Sequence, residues 1–281
     1  MYRLAGQEIY FSCPVSELEP FEVTGAQRTL ETFPGGTALS LTCQTIGWVG
    51  GEDRRVEVWS APRGTILKVE DGADCFISAE GESIVCLDET MEPTQLDREV
   101  LSGPALVLAL ALHGTWCLHA SAVMLRGQAI VFLGESGWGK STLAAYLSEG
   151  KREWQRVADD ILPVTIRSSR VEAWPHFPQL KLSAESQPGP HLPEQMSVHG
   201  FCVLTEAGEG RLPELQLFPR GQATRKLVSH TAGARLFAPS LLADHLAFCA
   251  ETARCVPVYA LTYERRRETL VEVCKLLETL C

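Results

Sequence analysis

The pattern of apolar and polar positions divides the chain into a β-rich first part and an α/β second part. Up to about residue 88, short runs of β-branched or aromatic residues alternate with Gly, Asp and Pro, as in strands joined by tight turns. We predict strands at residues 8–12, 56–60, 65–69, 74–78 and 83–87. This part carries no cluster of ionisable residues that indicates chemistry, so we expect it to serve recognition or packing.

An uncharged stretch from Val100 to Leu125 imitates a membrane span. Glycine, proline and histidine residues divide it into pieces too short to cross a bilayer. We therefore predict a buried helix that begins at about residue 96 or 102 and ends at 113, followed by a buried strand. The polar, proline-containing residues 88–94 precede it as a linker. The predicted domains are residues 1–95 and 96–281.

A β-hairpin is predicted next, with strands at residues 118–125 and 128–133 and a turn at Arg126-Gly127. If Leu125 pairs with Gln128, the numbers of paired residues sum to 253 and His119 lies opposite Gly134. A slip of one residue would turn His119 to the other face of the sheet. A histidine in an apolar strand is often a core residue, but this register favours a place at the loop that follows.

That loop is Gly134–Ser141, with the sequence Gly-Glu-Ser-Gly-Trp-Gly-Lys-Ser, and it fits G-x-x-x-x-G-K-[ST] between a strand and a helix. Glycines let backbone N–H groups turn toward phosphate oxygens, and the helix that follows adds the positive end of its dipole. Lys140 is expected to reach the β- and γ-phosphates, and the Ser141 hydroxyl to hold Mg²⁺. The predicted nucleotide-binding residues are Gly134, Glu135, Ser136, Gly137, Trp138, Gly139, Lys140, Ser141 and Thr142.

Two adjacent carboxylates, Asp159 and Asp160, lie within the apolar run at residues 157–164. Burying them is costly unless a cation meets them, and Mg²⁺ at Ser141 would serve. In a regular strand they would face opposite sides, so both can act on one nucleotide only at a strand end or a bulge. The alternative is a turn between two short strands.

Later parts of the chain give weaker signals. Positive charge for a transferring phosphate could come from Arg220, Arg225 or Lys226, and spacing does not choose among them. No role is assigned to the remaining histidines that follow the loop, because they share no metal-ligand spacing: His176, His191, His199, His230 and His245. Residues 183–195 are predicted to form a polar, proline-rich loop, which is either a lid or substrate-binding segment or a plain surface connection. Two helical stripes are expected to face the core: Leu242, Leu246, Cys249 and Ala253, and Leu270, Val273, Cys274 and Leu277.

Composition narrows the class of protein. With 45% apolar and 21% charged residues, the chain is typical of soluble globular proteins. A net charge of −10 argues against duplex nucleic acid and anionic membranes as partners. The first eight residues lack the apolar core of a signal peptide, and the ten cysteines include no C-x-x-C pair, so we expect a cytoplasmic protein with buried thiols rather than a zinc or redox protein.

The strand of His119, the Arg126-Gly127 turn, the Gly134–Ser141 loop and the Asp159-Asp160 pair together resemble the HPr kinase/phosphorylase superfamily. More narrowly, they resemble its small HPr-kinase-related members, which include kinases of a serine hydroxyl in lasso-peptide precursors. Residues 178–182 are similar to the P-x-L-x-L stretch of that subgroup. The resemblance covers residues 114–182 in specific motifs. It implies an α/β fold, a mixed-sheet P-loop kinase core of the HPr kinase / phosphoenolpyruvate carboxykinase type, preceded by a small β-rich N-terminal domain.

The resemblance also implies ATP and Mg²⁺ as cofactors and self-association of the chain. Its catalytic residues correspond to His119, Lys140, Asp159 and Asp160. Lys140 and Ser141 match positions that bind triphosphate and Mg²⁺, with Asp159 as a further metal ligand, and His119 matches a position beside the γ-phosphate. Asp160 matches the proton acceptor, although the spacing leaves the choice between the two aspartates open. The Glu- and Gly-rich signature of true HPr kinases is not visible, so HPr as substrate and the reverse reaction are not implied.

The sequence thus predicts an ATP- and Mg²⁺-dependent kinase that phosphorylates a hydroxyl, most simply a serine of a peptide or small protein. One alternative keeps the chemistry but makes the acceptor a free small molecule such as an amino acid or a sugar. The other is a nucleotide-binding regulatory protein without turnover. The acceptor and the choice between ATP and GTP stay open.

Overall fold

The computed structural model describes residues 1–23, 38–87, 92–149, 153–178 and 192–280. The chain divides into two compact units, Met1–Trp116 with Gly233–Asp244, and Cys117–Ala232 with His245–Cys281. This division differs from the predicted boundary after residue 95. Residues 96–116 belong to unit 1, and so do residues 233–244, which come much later in the chain. Tertiary contacts assign both segments to this unit, and local composition does not reveal such contacts.

Unit 1 is built on a seven-stranded mixed sheet. Its strands are β1 (Tyr2–Leu4), β2 (Gln7–Phe11), β3 (Ser40–Val49), β4 (Glu52–Ala61), β5 (Gly64–Val69), β6 (Cys75–Ser78) and β7 (Ser83–Cys86). They lie in the order β1-β2-β7-β6-β5-β4-β3, and only β2 and β7 are parallel. The five strands predicted in this region are confirmed, while β1 and β3 were not predicted. The β3–β4 hairpin turns on Gly50 and Gly51, whose φ angles of 62° and 82° suit glycine.

A helical segment follows in unit 1: α1 (Gln95–Val100), a π-helical turn (Leu101–Ala105) and α2 (Leu106–Leu112). Thr94 and Asp97 form a capping box at its start. Pro104 lies in the π-helical turn, where its missing N–H disturbs the regular hydrogen-bond ladder. The predicted buried helix is therefore present. No helix within the described ranges combines the length and apolar character needed to cross a bilayer.

Unit 2 contains a second seven-stranded mixed sheet. Its strands are β8 (Trp116–Leu125), β9 (Gln128–Leu133), β10 (Trp154–Arg167), β11 (Arg170–Ala173), β12 (Met196–Glu206), β13 (Glu214–Leu217) and β14 (Val258–Tyr263). They lie in the order β11-β10-β8-β9-β12-β14-β13, and β12 is parallel to both β9 and β14. The chain is therefore an α/β protein with two mixed sheets. The predicted fold class is confirmed as far as α/β with a mixed sheet.

Four helices complete the fold: α3 (Lys140–Ser148), α4 (Arg220–Ser229), α5 (Pro239–Cys255) and α6 (Leu270–Glu278). The stripe predicted to be core on α6 is buried. The stripe predicted on α5 is wrong at Leu242 and Leu246, which are 42% and 54% exposed, whereas Cys249 is buried as predicted. The buried face of α5 instead includes His245, whose imidazole bonds to the Thr231 hydroxyl at 2.8 Å, so a satisfied polar residue occupies a core position.

The parallel strands determine where a ligand can bind. Because β9, β12 and β14 are parallel, their carboxyl ends meet at one edge of the sheet. The segments that follow Leu133, Glu206 and Tyr263 therefore converge there. In α/β sheets, ligands bind outside the carboxyl ends of the parallel strands, and the additional pairing of β11 with β12 lies at the start of β12, away from that edge.

Candidate active site

The Gly134–Ser141 loop joins β9 to α3, in the predicted order of strand, loop and helix. Gly137 and Gly139 have φ angles of 76° and 85°, in the left-handed region that favours glycine. No atom lies within 4 Å of the position that a Cβ on Gly137 would occupy, so the space above this residue is open. The loop backbone can thus approach a ligand closely.

Lys140 is buried although it carries a charge, with 6% of its surface exposed. Its ammonium group donates hydrogen bonds to the carbonyls of Gly134 at 2.7 Å and Glu135 at 3.1 Å. The positive charge is therefore held inside the loop. Ser141 and Thr142 begin the first turn of α3, and both are exposed.

The β8–β9 hairpin has the predicted register. Leu125 pairs with Gln128, and the ladder ends where Ala120 pairs with Leu133. His119 is the next residue beyond that last pair, at the level of Gly134. The histidine is therefore at the start of the loop, and its side chain is 34% exposed.

Two contacts join β8 to the aspartate pair on β10. The Nε2 atom of His119 lies 3.0 Å from Oδ1 of Asp160, and the Ser121 hydroxyl donates to Oδ1 of Asp159 at 2.6 Å. His119 and Ser121 share one face of β8, whereas consecutive residues of a regular strand face opposite sides. Asp160 has a φ of 111°, which breaks the alternation and lets both carboxylates reach that face. The structure thus contains the irregularity that the sequence required.

His230, to which the sequence assigned no role, also lies beside the loop. Once Gly134 has left the sheet, residues 230–232 take the place of β9 next to β8. The His119 amide donates to the His230 carbonyl, and the Ala232 amide to the Cys117 carbonyl, each at 2.8 Å. Burial lowers the pKa of His230 to about 4, with the positive charges of Lys140, Lys226 and His119 in the same sense and Glu135 opposing them.

Arg265 is a second residue that the sequence reasoning missed. Its guanidinium lies 5.5 Å from the centre of the Trp138 ring, and its Nη1 donates to the Gly137 carbonyl at 3.4 Å. The Nε atom is 4.0 Å from Oε1 of Glu206. Arg265 comes two residues after β14, so the parallel sheet brings it to the loop. A run of three arginines that begins two residues after a strand was the available signal.

Several other candidates lie elsewhere or have structural partners. Arg220 and Arg225 are exposed on α4, and Lys226 of the same helix lies 5.9 Å from the ring of Phe218. The His199 imidazole is bonded to the side chain of Gln128 and the carbonyl of Leu280. His191 and most of residues 178–182 and 183–195 lie outside the described residues.

The described part of the chain has no group of three or more His, Cys, Asp or Glu side chains that could hold a metal ion. Mg²⁺ does not need such a group, because it is usually bound by one or two carboxylates together with substrate phosphates and water. The Ser141 hydroxyl and the Asp159 carboxylate are oxygen ligands of the kind that Mg²⁺ prefers, so the donor set fits this ion.

No family model matches the sequence, and no curated protein matches it. Among solved structures, the HPr(Ser) kinase/phosphatase from Coxiella burnetii is similar, with a TM-score of 0.36 and 14% identical residues. The match covers 58% of this chain and 94% of that chain. At this TM-score the likeness is distant, and the functional proposal rests instead on the geometry of the loop and its neighbours.

Proposed function

We propose that the protein is a kinase that transfers the terminal phosphate of a nucleoside triphosphate to a hydroxyl, most simply a serine of a peptide or small protein. The observation that carries this proposal is the contact between His119 and Asp160 at the start of the Gly134–Ser141 loop. The contact supports the proposal because it involves a carboxylate, which is a group able to act as a base, beside a loop suited to phosphate. The sequence resemblance points to the same activity.

The loop offers what a triphosphate needs. Backbone N–H groups at the start of α3, the helix dipole and the Lys140 ammonium all present positive charge at one place. In phosphoryl transfer, positioning and charge neutralisation supply most of the rate enhancement. A bound triphosphate would replace the loop carbonyls as the partner of Lys140.

Mg²⁺ would be held by the Ser141 hydroxyl and the Asp159 carboxylate, and when bound it neutralises negative charge on the phosphates. The Ser121 hydroxyl orients Asp159 through the 2.6 Å hydrogen bond. This bond leaves Asp159 less suited to proton transfer. Asp159 is also buried, whereas Asp160 is half-buried, so Asp160 is the base in our proposal.

The transfer step follows from these positions. Asp160 accepts the proton of the acceptor hydroxyl, whose oxygen forms a bond to the terminal phosphorus. The bond between that phosphorus and the bridging oxygen breaks, and the nucleoside diphosphate leaves with its electron pair. His119 orients the Asp160 carboxylate through its Nε2 contact, beside the place of the terminal phosphate.

The proposal is tested by incubating the purified protein with Mg²⁺, ATP labelled in its terminal phosphate, and separate peptide and metabolite pools. Label is expected in the peptide fraction. Asp160→Asn should lower transfer by about 10²- to 10⁴-fold with nucleotide binding retained, because only the base is lost. Lys140→Ala should weaken nucleotide binding itself. Matched controls are Asp244→Asn and Lys275→Ala at exposed positions on other helices.

The outcomes separate the alternatives. Label confined to the metabolite fraction would replace the peptide acceptor by a small molecule. Nucleotide binding without transfer to any acceptor would overturn the kinase and leave a regulatory nucleotide-binding protein. Full transfer by Asp160→Asn would remove Asp160 as the base.

A further inference from the structure

If the proposed function holds, the strand order of unit 2 determines in which direction the nucleoside of a bound nucleotide extends from the loop. The loop follows β9. His119 and Asp160 lie on β8 and β10, which are on one side of β9, while β12 and β14 are on the other side. If the terminal phosphate is at His119 and Asp160, the nucleoside must extend toward the β12 and β14 side.

On that side an arginine and a tryptophan lie together beside the loop. The Arg265 guanidinium lies over the indole of Trp138, with 5.5 Å between the guanidinium carbon and the ring centre. The Arg265 side chain is 37% exposed, and Trp138 is half-buried, so the pair is accessible to a ligand. A planar guanidinium and an aromatic ring are both surfaces on which a nucleobase stacks.

The end of β14 holds this surface in place. Tyr263 is 3% exposed, and its hydroxyl lies 3.9 Å from the position of a Cβ on Gly139. The strand therefore packs against the loop directly before Arg265. The Nη1 hydrogen bond to the Gly137 carbonyl and the ion pair with Glu206 fix the guanidinium further.

We propose that Trp138 and Arg265 form the nucleoside subsite of this protein, on which the purine base of the nucleotide stacks. The polyphosphate is then held by the loop and Lys140, and the base by a separate pair of side chains. The two parts can be tested independently because inorganic tripolyphosphate has the phosphates of ATP without its nucleoside.

The experiment measures, by isothermal titration with Mg²⁺ present, the affinities of the full chain for ATP and for tripolyphosphate. Wild type should bind ATP more tightly. Arg265→Ala and Trp138→Ala should weaken ATP binding by about 10- to 100-fold, the usual contribution of base stacking, and weaken tripolyphosphate binding by a much smaller factor, which for Arg265→Ala reflects the loss of one positive charge beside the loop. Trp138→Phe keeps an aromatic ring and should retain most of the ATP affinity. Arg265→Lys keeps the charge without the planar group and should behave like Arg265→Ala.

The control variant is Arg267→Ala, an exposed arginine two positions further along the same segment, which should change neither affinity. Lys140→Ala should weaken both ligands. Equal losses for both ligands in Arg265→Ala, or no loss for either, would overturn the subsite, and so would equal wild-type affinities for ATP and tripolyphosphate. Failure of wild type to bind either ligand would instead count against the proposed function.

Discussion

The two sheets bury different kinds of polar side chain. In the described part of unit 1 the buried polar residues carry only hydroxyl groups, and two of these serve the local backbone: the Ser78 hydroxyl accepts from the Ser83 amide, and Ser102 donates to the Arg98 carbonyl. In unit 2 an ammonium, a carboxylate and an imidazole are buried, on Lys140, Asp159 and His230. Burying charged groups is costly, so their concentration around one loop indicates a use that packing does not provide.

Strand connectivity explains the difference. In unit 1, β3 to β7 are neighbours in the same order as in the chain, so most contacts are local. In unit 2, the parallel neighbours β9, β12 and β14 are far apart in sequence, and the segments after them meet at one edge. The second arrangement brings side chains of several distant segments to one edge of the sheet, so we expect unit 1 to serve packing and unit 2 to carry the chemistry.

The largest expected effect is a loss of stability caused by a substitution in the closely packed sheet of unit 1. A Cβ on Gly64 would lie 2.2 Å from the Ile77 carbonyl oxygen and 2.8 Å from the Phe76 ring. Since a backbone atom cannot move aside cheaply, Gly64→Ala should lower the free energy of unfolding by about 3 kcal/mol. Urea denaturation measures the change. The ATP affinity of the folded protein should stay within about twofold of wild type, since unit 1 does not supply the loop.

The control is Gly47→Ala in the same sheet, where a Cβ would meet Val56 at an ordinary distance of 3.4 Å. This change should cost little stability. A loss of nucleotide affinity in folded Gly64→Ala, larger than in Gly47→Ala, would contradict the division between a packing unit and a chemical unit.

A second effect should appear in unit 2 as a dependence of stability on pH. Burial holds the pKa of His230 at about 4, below its ordinary value of 6.5. The unfolded chain therefore binds a proton in this range that the folded protein does not. The free energy of unfolding has its full value above about pH 6.5. It falls as the pH decreases toward 4, by roughly 3 kcal/mol at most. Urea unfolding measured at several pH values reports the slope.

His230→Gln should flatten this slope, because glutamine does not titrate. Gln222→Ala, at an exposed position on α4, removes no titrating group and should leave the slope unchanged. An identical slope in wild type and His230→Gln would show that His230 does not carry the pH dependence.

Local pattern was sufficient for part of the site. The hairpin turn fixed the register that brings His119 to Gly134, and the two adjacent aspartates required an irregular strand, which Asp160 provides. Local pattern could not find His230 or Arg265. The first comes from the end of α4 and the second from the end of β14, and only the pairing of distant segments brings them to the loop.

Helix α5 is a second case that local pattern could not predict, here because the buried side of the helix was not the expected one. Leucines at 242 and 246 suggested the buried face, but hydrogen bonds allow His245 to lie in the core instead. Hydrophobicity alone cannot anticipate a polar residue whose partners come from elsewhere in the chain. Asp97, three residues after the Thr94 cap, is the opposite case, because a capping box depends on sequence neighbours only.

The smallest expected effect concerns the backbone of Asp160. The positive φ angles of nonglycine residues in unit 1 belong to turns, whereas Asp160 has a φ of 111° inside β10. Such a conformation costs about 1–3 kcal/mol for a residue with a Cβ and little for glycine. Asp160→Gly and Asp160→Ala both lose the carboxylate and its contact with His119, so they differ mainly in this strain. The glycine variant should be more stable by about 1 kcal/mol, and both should lose transfer activity.

The matched pair is Ile166→Gly and Ile166→Ala, further along β10, where the strand pairs regularly with Val171. There the order should reverse, because glycine in a regular strand is less stable than alanine by roughly 0.5–1 kcal/mol. Alanine more stable than glycine at both positions would mean that Asp160 is not strained. If the order reverses as expected, the fold alone would favour glycine at position 160. The presence of an aspartate beside His119 would then have to be explained by the function of its carboxylate and not by stability. In this respect Asp160 of unit 2 differs from the residues of unit 1, whose positive φ angles belong to turns.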